Sequence, residues 1–339
     1  MGDTYPVVRV AAVQAACPLN DREAATAKAC DLIREAGRNG ATFIVFPEGF
    51  IPSHPNWFHH HIATGPKSAG FLTDLFKNSV EIPGPVTDHL GAAAREVGAT
   101  VVMGVCERLA GTIGTMFNSQ VYIGPDGAVI GKHQKLMPTA AERLAHTGGF
   151  GDTFGVFPTV NGPMSSLICG ENNNPLAVFA LAAQHTLIHA MSWPPYVAPA
   201  AAPVRDFAEV ASRNFAEAAG AFVVSACGAL DEDTIAKLEP TPEHEAWMRD
   251  PKSTGGSIIV APNGKILAGP MGSEEGILYA DCDLELVVRR KISRDYAGHY
   301  NRADVFQLTV NTAAPVLHSR SAGRPAERAQ DQADKVPTF

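Results

Sequence analysis

Met164-Ser165-Ser166-Leu167-Ile168-Cys169-Gly170-Glu171-Asn172-Asn173-Asn174-Pro175-Leu176 is the stretch on which the reading of this chain turns. An apolar run ends in Cys169. Small and polar residues follow, and an apolar helical stretch resumes through Ala177, Phe179, Ala180 and Leu181. That order spells strand, sharp turn, helix. A thiol on such a turn sits at a pocket mouth near the positive end of a helix, where its pKa falls and its thiolate becomes a nucleophile. The plainer alternative is a buried structural cysteine.

Two further segments bear on that choice. In Gly40 to Phe50, the residues Phe43 to Phe46 form a continuous apolar run, as in a strand buried on both faces. Glu48 follows at once in a Pro47-Glu48-Gly49 turn. Open α/β sheets gather their sites at that edge, and a carboxylate buried without a partner is costly. The alternative is an exposed loop glutamate. Further on, Asp126-Gly127 marks a turn and Ala128 to Lys132 a second hairpin strand. Lys135 lies past its end, ahead of Pro138, with Glu142 and Arg143 beyond. It is either a solvated surface charge or an ammonium held near Glu48 and Cys169.

Glutamate, lysine and cysteine at three strand ends, in this chain order, resemble the nitrilase superfamily of carbon–nitrogen hydrolases. Matched motif to motif, the resemblance implies Glu48 as general base, Lys135 as the family lysine and Cys169 as nucleophile. Glu142 matches a second glutamate that supports the lysine and positions substrate. The likeness covers residues 7 to 310. It takes in Val10-Ala11-Ala12-Val13-Gln14, Phe117-Asn118-Ser119 and Asp126-Gly127. It ends in Asp295-Tyr296-Ala297-Gly298-His299-Tyr300-Asn301-Arg302-Ala303-Asp304-Val305-Phe306, a motif of the nitrilase branch. Glu171 and Pro175-Leu176 also fit that branch. Three features depart from it: Gly170 stands where Trp is usual, Ser165-Ser166 replaces a glycine-containing lead-in, and Ser53-His54-Pro55 replaces Gly-Tyr-Pro. They bear on substrate preference, because the residue after the nucleophile lines the pocket. Gly170 leaves room there and a more exposed backbone N–H.

The fold implied is α/β, a four-layer α-β-β-α sandwich spanning residues 1–311 as one hydrolase domain. The function implied is that of a nitrilase, turning an organic nitrile into carboxylic acid and ammonia through a thioimidate and a thioester on Cys169. An aliphatic amidase or a cyanide-degrading enzyme of the same superfamily is the alternative. A non-catalytic binding or assembly protein is the alternative from another class, and the intact Glu48, Lys135 and Cys169 speak against it. Relatives pair through helices on one face and nitrilases build spirals from such dimers, so a homo-oligomer is expected.

Composition is that of an ordinary globular enzyme: 339 residues, 45% hydrophobic and 18% charged. A net charge of −8 argues against nucleic acid or an anionic membrane as partner. No apolar run approaches the ~20 residues that span a bilayer, and no N-terminal signal segment is evident. The six cysteines are scattered without a C-x-x-C spacing, which fits reduced thiols in cytoplasm. Glycine-rich phosphate loops are absent, so no nucleotide cofactor is expected. His59-His60-His61 invites a metal, but three consecutive residues cannot all aim at one ion from regular structure; a solvated or interface loop is the better reading.

Trp57 and Trp193 are candidates for shaping the acyl pocket, with core packing as the equal alternative. His299 is expected to order the C-terminal segment against the site. Ser53 to Ser68 and Asp231 to Ser253 read as linker-like insertions over the pocket. Residues 312–339 read as a polar tail, disordered or draped on a partner subunit.

Overall fold

Period-two patterning along the strands places the core. In β1 (Val7–Gln14), Val8, Val10 and Ala12 face one way while Ala11 and Val13 face the other, and all are buried. The strand β2 (Phe43–Val45) does the same, with Phe43 and Val45 opposed to Ile44. Such strands need cover on both faces. The computed structural model describes residues 2–199, 201–316 and 318 and supplies that cover.

Between β1 and β2 runs α1 (Arg22–Arg38), capped by Asp21, whose side chain accepts from Ala24 N at 3.0 Å. Next come α2 (Pro66–Asn78) and α3 (Pro85–Val97), the latter ending on Gly98 in the left-handed region. Then β3 (Thr100–Arg108), β4 (Met116–Ile123) and β5 (Val129–Gln134) follow as an antiparallel meander. The second half starts with the hairpin β6 (Val156–Thr159) and β7 (Gly162–Ile168). It continues through α4 (Pro175–Ala182), β8 (Ile188–Trp193), α5 (Val204–Ala219) and β9 (Phe222–Cys227). Two short helices, α6 (Glu232–Leu238) and α7 (Pro242–Arg249), precede β10 (Ile258–Val260), β11 (Ile266–Ala268), β12 (Gly276–Asp283) and α8 (Glu285–Ser293).

The strands form two six-stranded sheets, ordered β12-β1-β2-β3-β4-β5 and β11-β10-β9-β8-β7-β6. Each carries three parallel strands at its centre, β1-β2-β3 and β7-β8-β9, with antiparallel neighbours outside them. Val10, Phe43, Val102 and Tyr122 of the first sheet pack against Met164, Ile188, Phe222 and Val224 of the second. The first sheet's other face is covered by α1 and α3 through Ile33, Leu90 and Ala93; the second's by α4 and α5 through Leu181, Ala208 and Phe215. This is the expected four-layer α-β-β-α sandwich. Each fully buried Val, Leu, Ile or Phe contributes about 1.5–3 kcal/mol relative to exposure, and the layers put such residues at both sheet–helix seams and at the seam between sheets.

Some expectations need correction. The stretch Asp231 to Ser253 is not an open insertion: it holds α6 and α7, and Ile235, Leu238 and Met248 are buried with Trp57 and Tyr196. Its start signals are Asp231, accepting from Thr234 N at 2.8 Å, and Thr241 followed by Pro242. Ser53 to Ser68 contains a 3₁₀ turn, Asn56–His59, and the start of α2. His299 is exposed, and its segment lies over the outer faces of α4 and α5, where Tyr296 and Tyr300 share a groove with Phe179 and Asn214. None of Glu48, Lys135, Glu142, Cys169 and Gly170 lines that groove. Of the expected polar tail, residues 312–316 and 318 are exposed and without regular structure, and the remainder lies outside the described residues. Among the described residues no helix is long and apolar enough to cross a membrane.

Candidate active site

Glu48, Lys135 and Cys169 each follow the carboxyl end of a strand, β2, β5 and β7 respectively. The Glu48 turn is pinned across the sandwich: Glu48 N donates to Trp193 O at 3.2 Å, at the end of β8 in the other sheet. Ser192 Oγ donates to Phe46 O at 2.7 Å, and Gln120 Nε2 donates to that hydroxyl at 2.7 Å. The turn also lies flat on β3. A Cβ on Gly104 would stand 2.0 Å from Pro47 O and 2.9 Å from Gly49 N, so only glycine fits there.

Lys135 hangs from the first sheet by its backbone, with Lys135 N donating to Asn118 O at 2.8 Å and Gly149 N donating to Lys135 O at 2.7 Å. Its ammonium donates to Glu48 Oε1 and to Glu142 Oε2, both at 2.7 Å. Glu142 is the third residue of a 3₁₀ turn, Ala140–Leu144, and accepts from Thr139 N at 2.8 Å. Asn118 Nδ2 donates to Glu48 Oε1 and to Glu142 Oε1, each at 2.7 Å. His146 Nδ1 lies 3.2 Å from Glu142 Oε1, and His54 Nε2 lies 3.4 Å from Glu48 Oε1.

Glu48, Lys135 and Glu142 are 2%, 1% and 4% exposed, so their charges are compensated by one another rather than by water. Burial opposes ionisation of Lys135, but Glu48 and Glu142 outweigh it and hold the ammonium well above the usual lysine range. Burial likewise works against both carboxylates. Lys135 overrides it, keeping Glu48 below its ordinary range and Glu142 well below.

One atom stands apart. Glu48 Oε2 is buried and has no hydrogen-bond partner among the described residues, while Oε1 takes Lys135 and Asn118. A proton acceptor therefore remains open on the residue nearest in role to a base.

Cys169 begins a five-residue 3₁₀ turn, Cys169–Asn173, and α4 starts only at Pro175, capped by Asn174. Its φ of +51° is a left-handed value that non-glycine residues rarely hold. Glu171 braces the turn: its carboxylate accepts from Ile168 N at 3.0 Å, from Leu136 N at 2.6 Å, and lies 3.0 Å from His133 Nε2. The residue before the cysteine and the residue after the lysine are thus tied to one side chain. Asn172 Nδ2 donates to Leu167 O at 3.2 Å and to Cys169 O at 2.9 Å. The thiol is pushed upward by burial, then by Glu48, with Lys135 and the Gly170 backbone N–H acting against them. The sequence expectation of a lowered thiol pKa is therefore corrected: Cys169 stands on a 3₁₀ turn rather than in the first turn of α4, and burial dominates.

The structure brings Glu48, Lys135, Glu142, Cys169 and Gly170 together. It packs the two tryptophans into cores. Trp57 is fully buried and stacks on Phe71 with centroids 5.2 Å apart. Trp193 donates its Nε1–H to Ser225 Oγ at 3.0 Å and serves the site through its carbonyl. Asn118, His54, His146 and Asn172, to which the sequence reading gave no role in the site, complete the surroundings. For Asn118 the hints were the Phe117-Asn118-Ser119 match and a polar residue inside an apolar strand.

Among the described residues, Glu48, His54 and Glu142 are the one group whose ligating atoms converge within 4.8 Å, and the Lys135 ammonium already bridges its two carboxylates. The His59-His60-His61 run forms no such group, and His61 Nε2 is spent on Leu238 O at 2.7 Å.

Fold and centre define a class: α-β-β-α sandwiches with a thiol beside a buried carboxylate–ammonium cluster. This chain belongs to the carbon–nitrogen hydrolase family, whose profile matches residues 9–291. It is similar to an aliphatic nitrilase of Sinorhizobium fredii (strain HH103), 38% identical over 89% of this chain and 95% of that one. It is similar also to nitrilase 1 of Arabidopsis thaliana, 33% identical over 97% and 93%. In fold it resembles a carbon–nitrogen hydrolase from Helicobacter pylori G27, with a TM-score of 0.66, 19% identity and 88% and 97% coverage.

Proposed function

We propose that the protein is a nitrilase that hydrolyses an organic nitrile to the carboxylic acid and ammonia, with Cys169 as nucleophile. The observation that carries this reading is the half-used Glu48 carboxylate, with Oε1 locked by Lys135 and Asn118 and Oε2 left open in the cluster that acts on the Cys169 thiol.

The thiol proton passes to Glu48 Oε2 as sulfur attacks the nitrile carbon. Glu48 returns that proton to nitrogen, giving a covalent thioimidate. Lys135 and the Gly170 N–H face the nitrogen and then the tetrahedral centre that forms when water adds. Glu48 carries both protons of that water to nitrogen, one as water adds and one as the C=O bond forms, so that the C–N bond breaks with ammonia as leaving group and a thioester remains. A second water, activated the same way, releases the acid and restores the thiol. Expulsion of sulfur instead of ammonia gives the amide as by-product. Glu142 keeps Lys135 charged and aimed. The relatives named as nitrilases favour nitriles over amides for this chain as well.

A reducing cytoplasm suits this chemistry, and all six cysteines are unpaired. Self-association is part of the same reading: Leu176, Phe207 and Val210 are exposed on α4 and α5, beside exposed Tyr300 and Phe306. Burial of such a patch is the usual ground for subunit contact.

The test is ammonia release from aliphatic, arylaliphatic and aromatic nitriles, run beside their amides and cyanide, with purified protein and Cys169→Ala. Acid and ammonia from a nitrile, lost in the variant, are expected. Turnover of amides or cyanide alone would overturn the nitrile assignment. Activity that survives in Cys169→Ala would overturn the nucleophile.

A further inference from the structure

The reaction as written leaves one charged neighbour unused. His54 sits on the turn after Glu48, and its protonation is fixed by what surrounds it. Asn56 is 3% exposed, and its Nδ2 donates to Tyr196 O at 2.7 Å. Asn56 Oδ1 is therefore an acceptor. His54 Nδ1, 2.8 Å from that oxygen, must carry a hydrogen. The other ring nitrogen, Nε2, is directed at two carboxylate oxygens, Glu48 Oε1 at 3.4 Å and Glu142 Oε1 at 4.0 Å. A neutral ring would set its lone pair against both anions. A second proton turns repulsion into two attractions.

Charge balance points the same way. Glu48 and Glu142 bring two negative charges and Lys135 one positive, all buried. A residual negative charge in so dry a site is costly. We propose that His54 is the second cation of this centre, an imidazolium at rest that positions Glu48 and keeps the buried charge at zero while the Cys169 proton moves. When the S–H bond breaks and the proton joins Glu48 Oε2, the negative charge moves from oxygen to sulfur. Thiolate and Glu142 then stand opposite Lys135 and His54, and the sum is unchanged.

The neighbours allow this. Glu48, Glu142, Lys135, His146, His59 and the Cys17 thiol are titratable groups around His54, as is the Tyr196 phenol, which burial keeps well above its ordinary value and so neutral. Burial lowers His146, and it lowers His59 to about 4, with the charge of His54 adding to both. Burial raises Cys17 to about 12. All three are uncharged near neutrality, so His54 answers to the two carboxylates and to Lys135. Burial opposes its charge, and Glu48 and then Glu142 lift it above the usual histidine range.

The role in turnover rests on the nitrilase reading; the charge state does not, and two measurements keep them apart. The first is the ¹⁵N spectrum of the histidine rings in the full-length protein at about pH 8, where exposed histidines are neutral. An imidazolium signal is expected there, lost in His54→Gln and kept in His133→Gln and His146→Gln, the two other histidines beside a carboxylate. A wild-type spectrum without any imidazolium overturns the proposal whether or not a variant folds. So does a signal that disappears with His133 or His146 instead.

The second is the pH profile of kcat/KM on the nitrile that the panel identifies. Wild type should lose activity on the alkaline side as His54 gives up its proton. In His54→Gln that limb should vanish, and the acid limb should move up by about one to three pH units, because Glu48 has lost a nearby cation. Superimposable profiles would overturn the positioning role even with the imidazolium confirmed.

Discussion

At Cys169 burial raises the thiol, Glu48 and Glu142 raise it further, and Lys135 and the Gly170 N–H oppose them. The resting sulfur is accordingly a thiol that depends on Glu48, not a standing thiolate. Alkylation by iodoacetamide should therefore keep accelerating with pH above about 9, beyond the ordinary cysteine value of ~8.5. A rate that levels off near neutrality would show a free thiolate and refute this. The neighbouring Gly170 invites a different test. A Cβ there would meet only Thr139 Oγ1, at 4.0 Å, and its φ is not left-handed. Gly170→Ala should fold with a stability change within about 0.5 kcal/mol. Gly170→Trp should fill space beside the sulfur and cut kcat/KM for bulky nitriles far more than for small ones. Equal losses across a size series would mean that this position does not face the substrate. Cys169 was legible from its place at the end of an apolar run, and Gly170 from its departure from the Trp usual in the family it resembles. The sequence did not reveal the direction of the thiol shift, because desolvation depends on packing from three distant segments.

Among the elements, the turn that holds Cys169 depends on partners from elsewhere in the chain. Asn172 clamps two carbonyls, and its own Oδ1 lies 2.9 Å from His189 Nε2. His189 stacks on Phe215 of α5, with centroids 3.6 Å apart, and its Nδ1 lies 2.7 Å from Ser165 Oγ. A connected run of bonds thus links β7, β8 and the turn. Asn172→Ala should cost about 1–3 kcal/mol for each buried group left unpaired. It should lower kcat more than it raises KM, because the strained φ at Cys169 loses its restraint. Denaturant unfolding and steady-state kinetics on the variant check both, and unchanged kcat would show the clamp to be dispensable. The strands and α5 were legible because β1, β2 and β9 fall on mostly apolar runs and α5 is strongly two-faced. The short helices α6 and α7 were not, since charge and proline dominate their sequence. Only the caps Asp231 and Thr241 announce them. Ser165 and His189 were opaque for a related reason: their pairing spans parallel strands whose register sequence alone does not supply.

Over the whole molecule, acid stability should be governed by the buried charges between the sheets' edges. Glu48 and Glu142 have folded pKa values below their unfolded ones, so they contribute stability above the unfolded carboxylate value of about 4.3, lost as pH falls through the lower folded values. Lys135 is raised, so its contribution is complete below the unfolded lysine value of about 10.4 and is lost as pH climbs through the folded one. Wild type should thus be flat in stability between about pH 5 and 10 as far as these three groups are concerned. Lys135→Met reverses the logic on the acid side. Two carboxylates would then share a buried site without their ammonium, and burial and mutual repulsion would raise at least one above its unfolded value. A raised acid binds a proton in the folded state that the unfolded chain has released, so stability falls as pH rises. At pH 7 the variant should lie about 3–5 kcal/mol below wild type, the usual cost of removing one member of a buried ion pair. The deficit should shrink as pH drops from 7 towards about 4.3. Urea unfolding of both proteins across that range checks the slope, with Cys169→Ala as a control that leaves the ion pairs in place. Parallel curves for wild type and Lys135→Met would mean that the ammonium is not what keeps Glu48 and Glu142 ionised.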